Sequence, residues 1–392
     1  MRVRGVEVYG YELTYAHGRY VMSRGRAVER LSSTVVRLFT DDGLDGWGEV
    51  CPLGATYLPA FTDGARAALR ELAPALVGAD PLQFKLRILY GFNAPIHEAL
   101  GYGKSLHDAL AEVHARMDSA LAGHGYAKSP VDVACWDLLG KAAGLPVGAL
   151  LGGVYGRRVP LYVAVPMDEP AAMAEFAQRE RARGVRIFQL KLGSDPFADA
   201  ERVGAVVGRL GTGWVLADAN GGYTVPQAVV AARLLERHPQ VLLEQPCPTL
   251  EECASVRRCT TLPLVFDEVV VDVHTLVRAF REGGAAAVNL KVSRVGGLSR
   301  ARMLRDLAVA LGLQLVVEDT WGGDLVTAAT AHLAASTPPQ HLLAASFMNE
   351  WNLEHLSEGY PRSEEGFGLL PGGSGLGVPV EPAKLHLLFR FP

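Results

Sequence analysis

F-Q-L-K-L-G at residues 188–193, L-A-D-A-N at 216–220, L-E-Q-P at 243–246, F-D-E at 266–268 and N-L-K-V-S at 289–293 each place one ionisable side chain at the end of a short aliphatic run. These are Lys191, Asp218, Glu244, Asp267 and Lys291, spaced 23 to 27 residues apart. A short aliphatic and β-branched run without polar alternation reads as a strand buried on both faces, and the interval leaves room for one amphipathic helix before the next strand. The pattern predicts repeated strand–helix units, one functional group per unit.

The alternation extends in both directions. Strands are predicted at 160–165, 186–192, 214–218, 241–244, 263–267, 286–291, 313–318 and 341–346, and helices at 169–183, 196–210, 225–237, 249–258, 272–282, 298–311 and 324–336. Eight strands with helices between them is the count of an α/β protein of the (β/α)8 type. A doubly wound open sheet competes, but it calls for a glycine-rich phosphate turn after its first strand, and V-A-V-P-M-D at 163–168 has none. Residues 1–50 read differently. V-R-G-V-E-V-Y-G-Y-E-L, S-T-V-V-R-L-F-T, the D-D-G turn at 41–43 and G-W-G-E-V predict an antiparallel meander, followed by helical spacing at 62–78, 104–122 and 129–143. The expected fold is a modified (β/α)8 TIM barrel over 131–350 with an N-terminal α+β capping domain over 1–130. A Gly- and Pro-rich tail, 351–392, is expected to pack on the cap.

A net charge of −4 with both signs interspersed offers no basic face for nucleic acid and no polybasic membrane segment. No apolar run approaches the ~18 residues that span a bilayer. The opening M-R-V-R-G-V-E-V reads as a strand and not a signal peptide, so a cytoplasmic enzyme is expected. A small-molecule carboxylate substrate and a homo-oligomeric assembly are separate expectations. Five cysteines, odd in number and without a C-x-x-C pair, read as reduced and mostly buried thiols.

In a barrel, functional groups stand at the carboxyl ends of strands. Counted from residue 160, Asp218, Glu244 and Asp267 close strands three, four and five. One such acid alone is better read as a helix cap or an ion-pair partner. Three side by side would repel and raise one another's pKa without a cation, and an all-oxygen set suits Mg²⁺ or Mn²⁺. Lys191 closes strand two and Lys291 strand six, four strands apart in a ring of eight, and so on opposite sides of the mouth. A substrate carboxylate on the metal would hold its α-carbon between two ammonium groups able to act as acid and base.

With these residues the chain resembles the enolase superfamily, in the branch typified by muconate lactonising enzymes and related racemases, over almost its whole length. The resemblance implies a capping domain on a modified barrel, Asp218, Glu244 and Asp267 as metal ligands, and Lys191 and Lys291 as acid/bases in α-proton abstraction from a carboxylate. The branch commonly carries K-x-K on the second strand, whereas here Gln189 stands two residues before Lys191. That Q-x-K, with L-E-Q-P-C-P-T-L-E-E at 243–252 and E-D-T-W-G-G-D at 318–324, is similar to members acting on proline derivatives, above all those that dehydrate cis-3-hydroxy-L-proline. The implied reaction is dehydration of that substrate to a pyrroline-2-carboxylate, with racemisation or epimerisation of proline betaine, hydroxyproline betaine or another amino-acid derivative as the alternative. Asp319 and Trp321 suit a cationic ring nitrogen, although a core tryptophan with Asp319 as a helix cap accounts for them equally well. Gln189, Asn220 and Tyr57 complete the substrate-binding candidates, and residues 20–24 fall where the family's specificity loops lie.

The remaining features read blandly. His332 sits mid-helix in A-T-A-H-L-A-A and reads as packing, while His124 is a weak candidate for closing over the mouth. G-G-L at 296–298 reads as a tight turn and not a phosphate site. Residues 85–103 have no clear period and exceed the family's usual length, so a longer cap helix and a subunit contact both stay open for them.

Overall fold

The computed structural model describes residues 1–79, 81 and 106–392 of the chain. Residues 85–103 lie outside the described residues. The cap begins with β1 (Val3–Thr14), a short hairpin of β2 (Tyr20–Val21) and β3 (Ala27–Val28), then β4 (Arg30–Thr40) and β5 (Asp45–Val50). A three-residue strand, β6 (Arg158–Pro160), precedes the barrel. The barrel strands are β7 (Tyr162–Val165), β8 (Ile187–Lys191), β9 (Trp214–Asp218), β10 (Val241–Glu244), β11 (Leu264–Phe266), β12 (Ala287–Lys291), β13 (Gln314–Glu318) and β14 (Leu342–Ala345). They form one parallel sheet in sequence order, and a bridge between Leu161 and Ala345 joins its two edges into a ring.

Residue parity explains why these runs are apolar throughout. Ile187, Leu216, Leu242, Val265, Ala287, Val316 and Ala344 pack with Tyr162 and Ala164 in one cluster. Their sequence neighbours Phe188, Leu190, Val215, Ala217, Leu243, Leu290 and Leu315 belong to the larger core that the helices cover. Side chains alternate faces along a strand, so the first set fills the barrel and the second faces the helical layer. Burying a residue such as Phe188 contributes about 1.5–3 kcal/mol. The helices start where side chains can satisfy their first N–H groups. Asp195 accepts from the Phe197 and Ala198 N–H groups, and Thr249 with Glu252 forms a capping box.

The cap departs from the sequence reading at one helix start, and the tail meets the cap as expected while also adding strands beside β6. The helix expected from Ser129 begins at Gly125 and runs to Ala143, with Pro130 inside it. Ser-Pro resembles a helix start, but here the entry is His124, a non-glycine residue in the left-handed region at φ 53°. A chain division at 130/131 therefore falls within one continuous helix. The tail contributes β15 (Ser363–Glu364) and β16 (Phe367–Leu369), which extend a small sheet from β6, and β17 (His386–Phe391), which pairs antiparallel with β1. The cap sheet thus runs β17-β1-β4-β5, closed by residues from both ends of the chain. No helix among the described residues is long and apolar enough to cross a membrane. Four of the five cysteines are buried, Cys259 is exposed, and all are free thiols.

His332 ties the barrel to the tail. Its Nδ1 accepts from the Gly148 N–H at 3.0 Å, and its Nε2 lies 3.1 Å from the Leu376 carbonyl. Burial pushes the imidazole down to about 4 from its ordinary 6.5, so it folds neutral. A base whose folded pKa is lowered contributes stability above the unfolded value and loses it as pH falls toward the folded one. Stability is expected to drop by about 3 kcal/mol between pH 6.5 and 4 through this group. His332→Asn should remove that part of the slope, and denaturant unfolding at pH 7 and pH 4.5 checks it; parallel slopes for variant and parent would refute the assignment.

Candidate active site

The inward parity that fills the barrel also carries the ionisable residues to its carboxyl end. Gln189 and Lys191 follow Ile187 at steps of two, Asp218 follows Leu216, Glu244 follows Leu242, Asp267 follows Val265, and Asn289 and Lys291 follow Ala287. In register, Lys191 stands opposite Asp218, Asp218 opposite Glu244, and Lys291 opposite Glu318. All of these side chains are buried.

Each lysine is paired with a buried carboxylate. The Lys191 ammonium donates to Asp218 Oδ2 at 2.5 Å. Burial alone would lower its pKa, but the Asp218 charge, with Tyr20 and Glu244, drives it upward. Lys291 donates to Asp267 Oδ2 at 2.8 Å and to the Tyr57 hydroxyl at 2.9 Å, and lies 3.1 Å from Glu318 Oε1. The Tyr57 hydroxyl donates in turn to Asp267 at 3.2 Å. Arg294, just past β12, donates to Asp267 Oδ1 at 2.8 Å and to its carbonyl at 2.6 Å. Burial raises the Asp267 carboxyl, but Arg294 and Lys291 outweigh it and hold the acid well below its usual range.

Among the described residues no cation forms an ion pair with Glu244, which is held by amides. Gln189 Nε2 donates to both of its oxygens at 3.0 and 3.1 Å, and Asn289 Nδ2 donates to Oε1 at 3.0 Å. Burial, then the charges of Asp218 and Asp267, push this carboxyl up to about 8. Glu268 is pushed up to about 7 by burial and by Asp267 and Asp218, and its Oε2 has no hydrogen-bond partner among the described residues. Carboxylate oxygens of Glu244, Asp267 and Glu318 come within 4.8 Å of one another. Such a crowded, buried, all-oxygen set fits a hard divalent cation, which would offset the burial and the carboxylate repulsion that raise Glu244.

The structure brings Glu244 and Asp267 together with Glu318 and turns Asp218 toward Lys191 and Asn220. Asn220 donates to Asp218 through its backbone N–H and its Nδ2, both at 2.8 Å, and to Glu268 at 3.1 Å. Asn220 and Gln245, the residues just past β9 and β10, hold φ of 45° and 33°. Such backbone costs about 1–3 kcal/mol for a residue with a Cβ and persists where surrounding bonds enforce it. At Gln245 the enforcing bonds run from the Asp267 N–H at 3.0 Å and to the Cys247 carbonyl at 2.8 Å.

Above the ionisable layer lies an aromatic wall. Trp321 is buried, its indole N–H donates to Asn352 Oδ1 at 2.9 Å, and its ring meets Tyr20 and Trp351 edge-on at 5.2 and 5.7 Å. Asp319 is buried too, and its carboxylate accepts from the Ser293 N–H and hydroxyl and from the Thr320 N–H at 2.7 Å. It therefore caps the short turn after β12. These groups, with Tyr57, Gln189, Lys191, Asn220, Lys291 and Glu318, line a cavity of about 20 Å³, room for about one water. A larger cavity of about 360 Å³ lies between the cap and the tail, against Arg37, Trp47 and Lys141. Its cations are paired with Glu7, Asp45 and Asp137, and none of the residues at the carboxyl ends of the barrel strands lines it.

Several residues escaped the sequence reading. Glu318 entered it only as the first letter of E-D-T-W-G-G-D, although it stands 27 residues past Lys291 and continues the same interval. Asn289 was legible by parity, two residues before Lys291. Glu268, Arg294 and Trp351 gave no such signal. His124 is exposed at its helix start, away from the cavity lining, and Gly297 is a tight turn in which an added Cβ would meet the Asp132 carboxylate at 2.4 Å.

The family described as enolase C-terminal domain-like matches residues 172–384, and the mandelate racemase / muconate lactonizing enzyme N-terminal domain matches residues 103–152. The chain is 42% identical over 382 residues to cis-3-hydroxy-L-proline dehydratase of Roseibium aggregatum, covering 96% of each. It is 25% identical over 340 residues to N-succinyl-L-Arg/Lys racemase of Bacillus cereus, covering 86% of this chain and 85% of the relative. A solved member of the enolase superfamily from Roseovarius nubinhibens ISM, complexed with magnesium, superposes with a TM-score of 0.87 at 34% identity, covering 100% of this chain and 99% of the other.

Proposed function

The chain belongs to the enolase superfamily, among the mandelate racemase/muconate lactonizing enzymes, and from that premise we propose that it is a Mg²⁺-dependent lyase that dehydrates cis-3-hydroxy-L-proline to a pyrroline-2-carboxylate. The observation that carries the reading is the pair of buried ammonium groups on β8 and β12, four strands apart in a ring of eight, flanking a wall of carboxylates. Asp218, Glu244 and Asp267 would hold the cation, with Mn²⁺ as a substitute. When bound it supplies stabilisation for the negative charge that grows on the substrate carboxylate as the α-proton leaves.

The chain's own residues do the rest. In cis-3-hydroxy-L-proline the hydroxyl and carboxylate share a ring face, so the α-hydrogen and the hydroxyl lie on opposite faces and elimination is anti. One lysine, in its neutral amine form, takes the α-proton and becomes the ammonium. The opposite lysine delivers a proton to the departing hydroxyl, the C–O bond breaks, water leaves, and the double bond forms between the α- and β-carbons. The resulting enamine tautomerises to the cyclic imine. Tyr20, Trp321 and Trp351 present aromatic faces and edges to the ring nitrogen and exclude water, which strengthens the polar contacts below. Asp319, already engaged by Ser293 and Thr320, acts on that nitrogen through its field and not through a free oxygen.

Incubation of the purified protein with Mg²⁺ and cis-3-hydroxy-L-proline should release a product that forms a pyrroline adduct. Absence of adduct would reject the substrate. The second reading, an isomerase acting on an amino-acid derivative, uses the same two lysines and is favoured by their opposed placement and by the racemase relative. Proton NMR in D₂O separates the two: an isomerase places deuterium on the α-carbon of recovered substrate that still carries its hydroxyl.

A further inference from the structure

One carboxylate of the cap is buried at the start of a barrel helix. Glu49, near the end of β5, is 2% exposed. Its Oε1 accepts from the Tyr11 hydroxyl at 2.6 Å, the Ser33 hydroxyl at 2.7 Å and the Gly323 N–H at 2.9 Å. Its Oε2 accepts from the Leu325 and Val326 N–H groups at 3.1 and 3.2 Å. These last three donors open the helix Asp324–Ala335, whose N-cap position is Gly323, a residue with no side chain to offer. The first N–H groups of a helix need acceptors, and a residue adjacent in sequence usually supplies one. Here the acceptor comes from 274 positions away.

The glycines of W-G-G-D make this approach possible. A Cβ on Gly323 would lie 1.8 Å from the Tyr11 hydroxyl and 2.8 Å from Glu49 Oε1. The two segments that meet at Glu49 are those that face the substrate cavity. β5 continues into residues 51–58, which carry Leu53 and Tyr57, and β13 continues into Glu318, Asp319, Thr320 and Trp321. A second bond, from the Thr320 hydroxyl to the Cys51 carbonyl at 3.3 Å, joins the same two segments.

We infer that Glu49 is a positioning residue, whose carboxylate sets the register of the Tyr57 loop of the cap against the Trp321 turn of the barrel. It touches neither substrate nor metal ligand. It acts through the helix start that anchors the turn, and thereby fixes where the Tyr57 hydroxyl meets Lys291. The placement stands independently of the substrate, and only the kinetic half of its test rests on the proposed dehydration.

Hydrogen exchange and kinetics of Glu49→Ala test it, measured well below the unfolding temperature. Exchange is expected to quicken together, by about tenfold, at 323–326 and at 51–58, and KM for cis-3-hydroxy-L-proline is expected to rise about tenfold with kcat changed less than about threefold. Glu49→Gln keeps an acceptor for Leu325 and Val326 but loses the one for Gly323, so it should show the same changes at smaller size; it carries the test alone if the alanine variant does not fold. Faster exchange confined to 323–326, or an unchanged KM in a protein that turns the substrate over, overturns the inference. A parent protein that shows no turnover rejects the proposed substrate, while coupled exchange in the two segments still supports the positioning role.

Discussion

Replacement of either Lys191 or Lys291 by Met is expected to lower kcat by about 10²- to 10⁴-fold, the range that one positioned acid or base contributes. Methionine keeps an unbranched stem of similar volume, so the barrel stays filled and the loss reports the ammonium group. The two variants should differ in kind. The variant lacking the base neither exchanges the α-proton with D₂O nor forms product. The variant lacking the acid still exchanges the α-proton while dehydration stops, and so it marks which lysine plays which part. Each also removes one partner of a buried ion pair, Asp218 or Asp267, with a stability cost of about 3 kcal/mol. Steady-state kinetics with NMR exchange checks this, and either variant within about threefold of the parent would remove that lysine from the mechanism.

Withdrawal of divalent cations should have an effect of comparable size. With a chelator in excess, turnover should fall to background, and Mg²⁺ should restore it and raise the unfolding temperature by mass action. Two substitutions decide which acids hold the cation. Asp218→Asn should weaken Mg²⁺ by at least about 100-fold, whereas Glu318→Gln, which removes a partner of Lys291, should change affinity less than about tenfold and act mainly on kcat. The reverse order would place the cation among Glu244, Asp267 and Glu318. The pH dependence has a definite sign. Without cation Glu244 is pushed up to about 8 by burial and by Asp218 and Asp267, so at pH 7 it is mostly protonated. Binding must then expel that proton, and apparent affinity should fall about tenfold per unit as pH drops below about 8. Calorimetry in two buffers of different ionisation heat measures the proton released, and a value near zero at pH 7 would contradict this account.

The barrel was legible because its information is local. Each strand from β8 to β13 is a short aliphatic run ending at or beside a polar group, and a period of two carries Gln189, Lys191, Asp218 and Glu244 to one face whatever lies around them. The helices announced themselves by period alone, and caps such as Asp195 and Thr249 were available in the same local stretches. Spacing alone put this helix start at Ser129, whereas the actual entry at Gly125 depends on His124 accepting a left-handed backbone.

The choice of partners was a different matter. Which acid each lysine meets, the turning of Asp218 toward Asn220, the engagement of Asp319 by Ser293 and the insertion of Glu49 into a helix 274 residues away are contacts across barrel units or between cap and barrel. Nothing in the spacing of a single unit encodes them. The sequence by itself determined the ring of strands and the kind of chemistry at its mouth, since side-chain parity and residue type are properties of each segment. The tertiary structure alone decided how the charges are shared and how the cap is pinned over them, since a buried charge or N–H must be satisfied by whatever group the fold brings within about 3 Å.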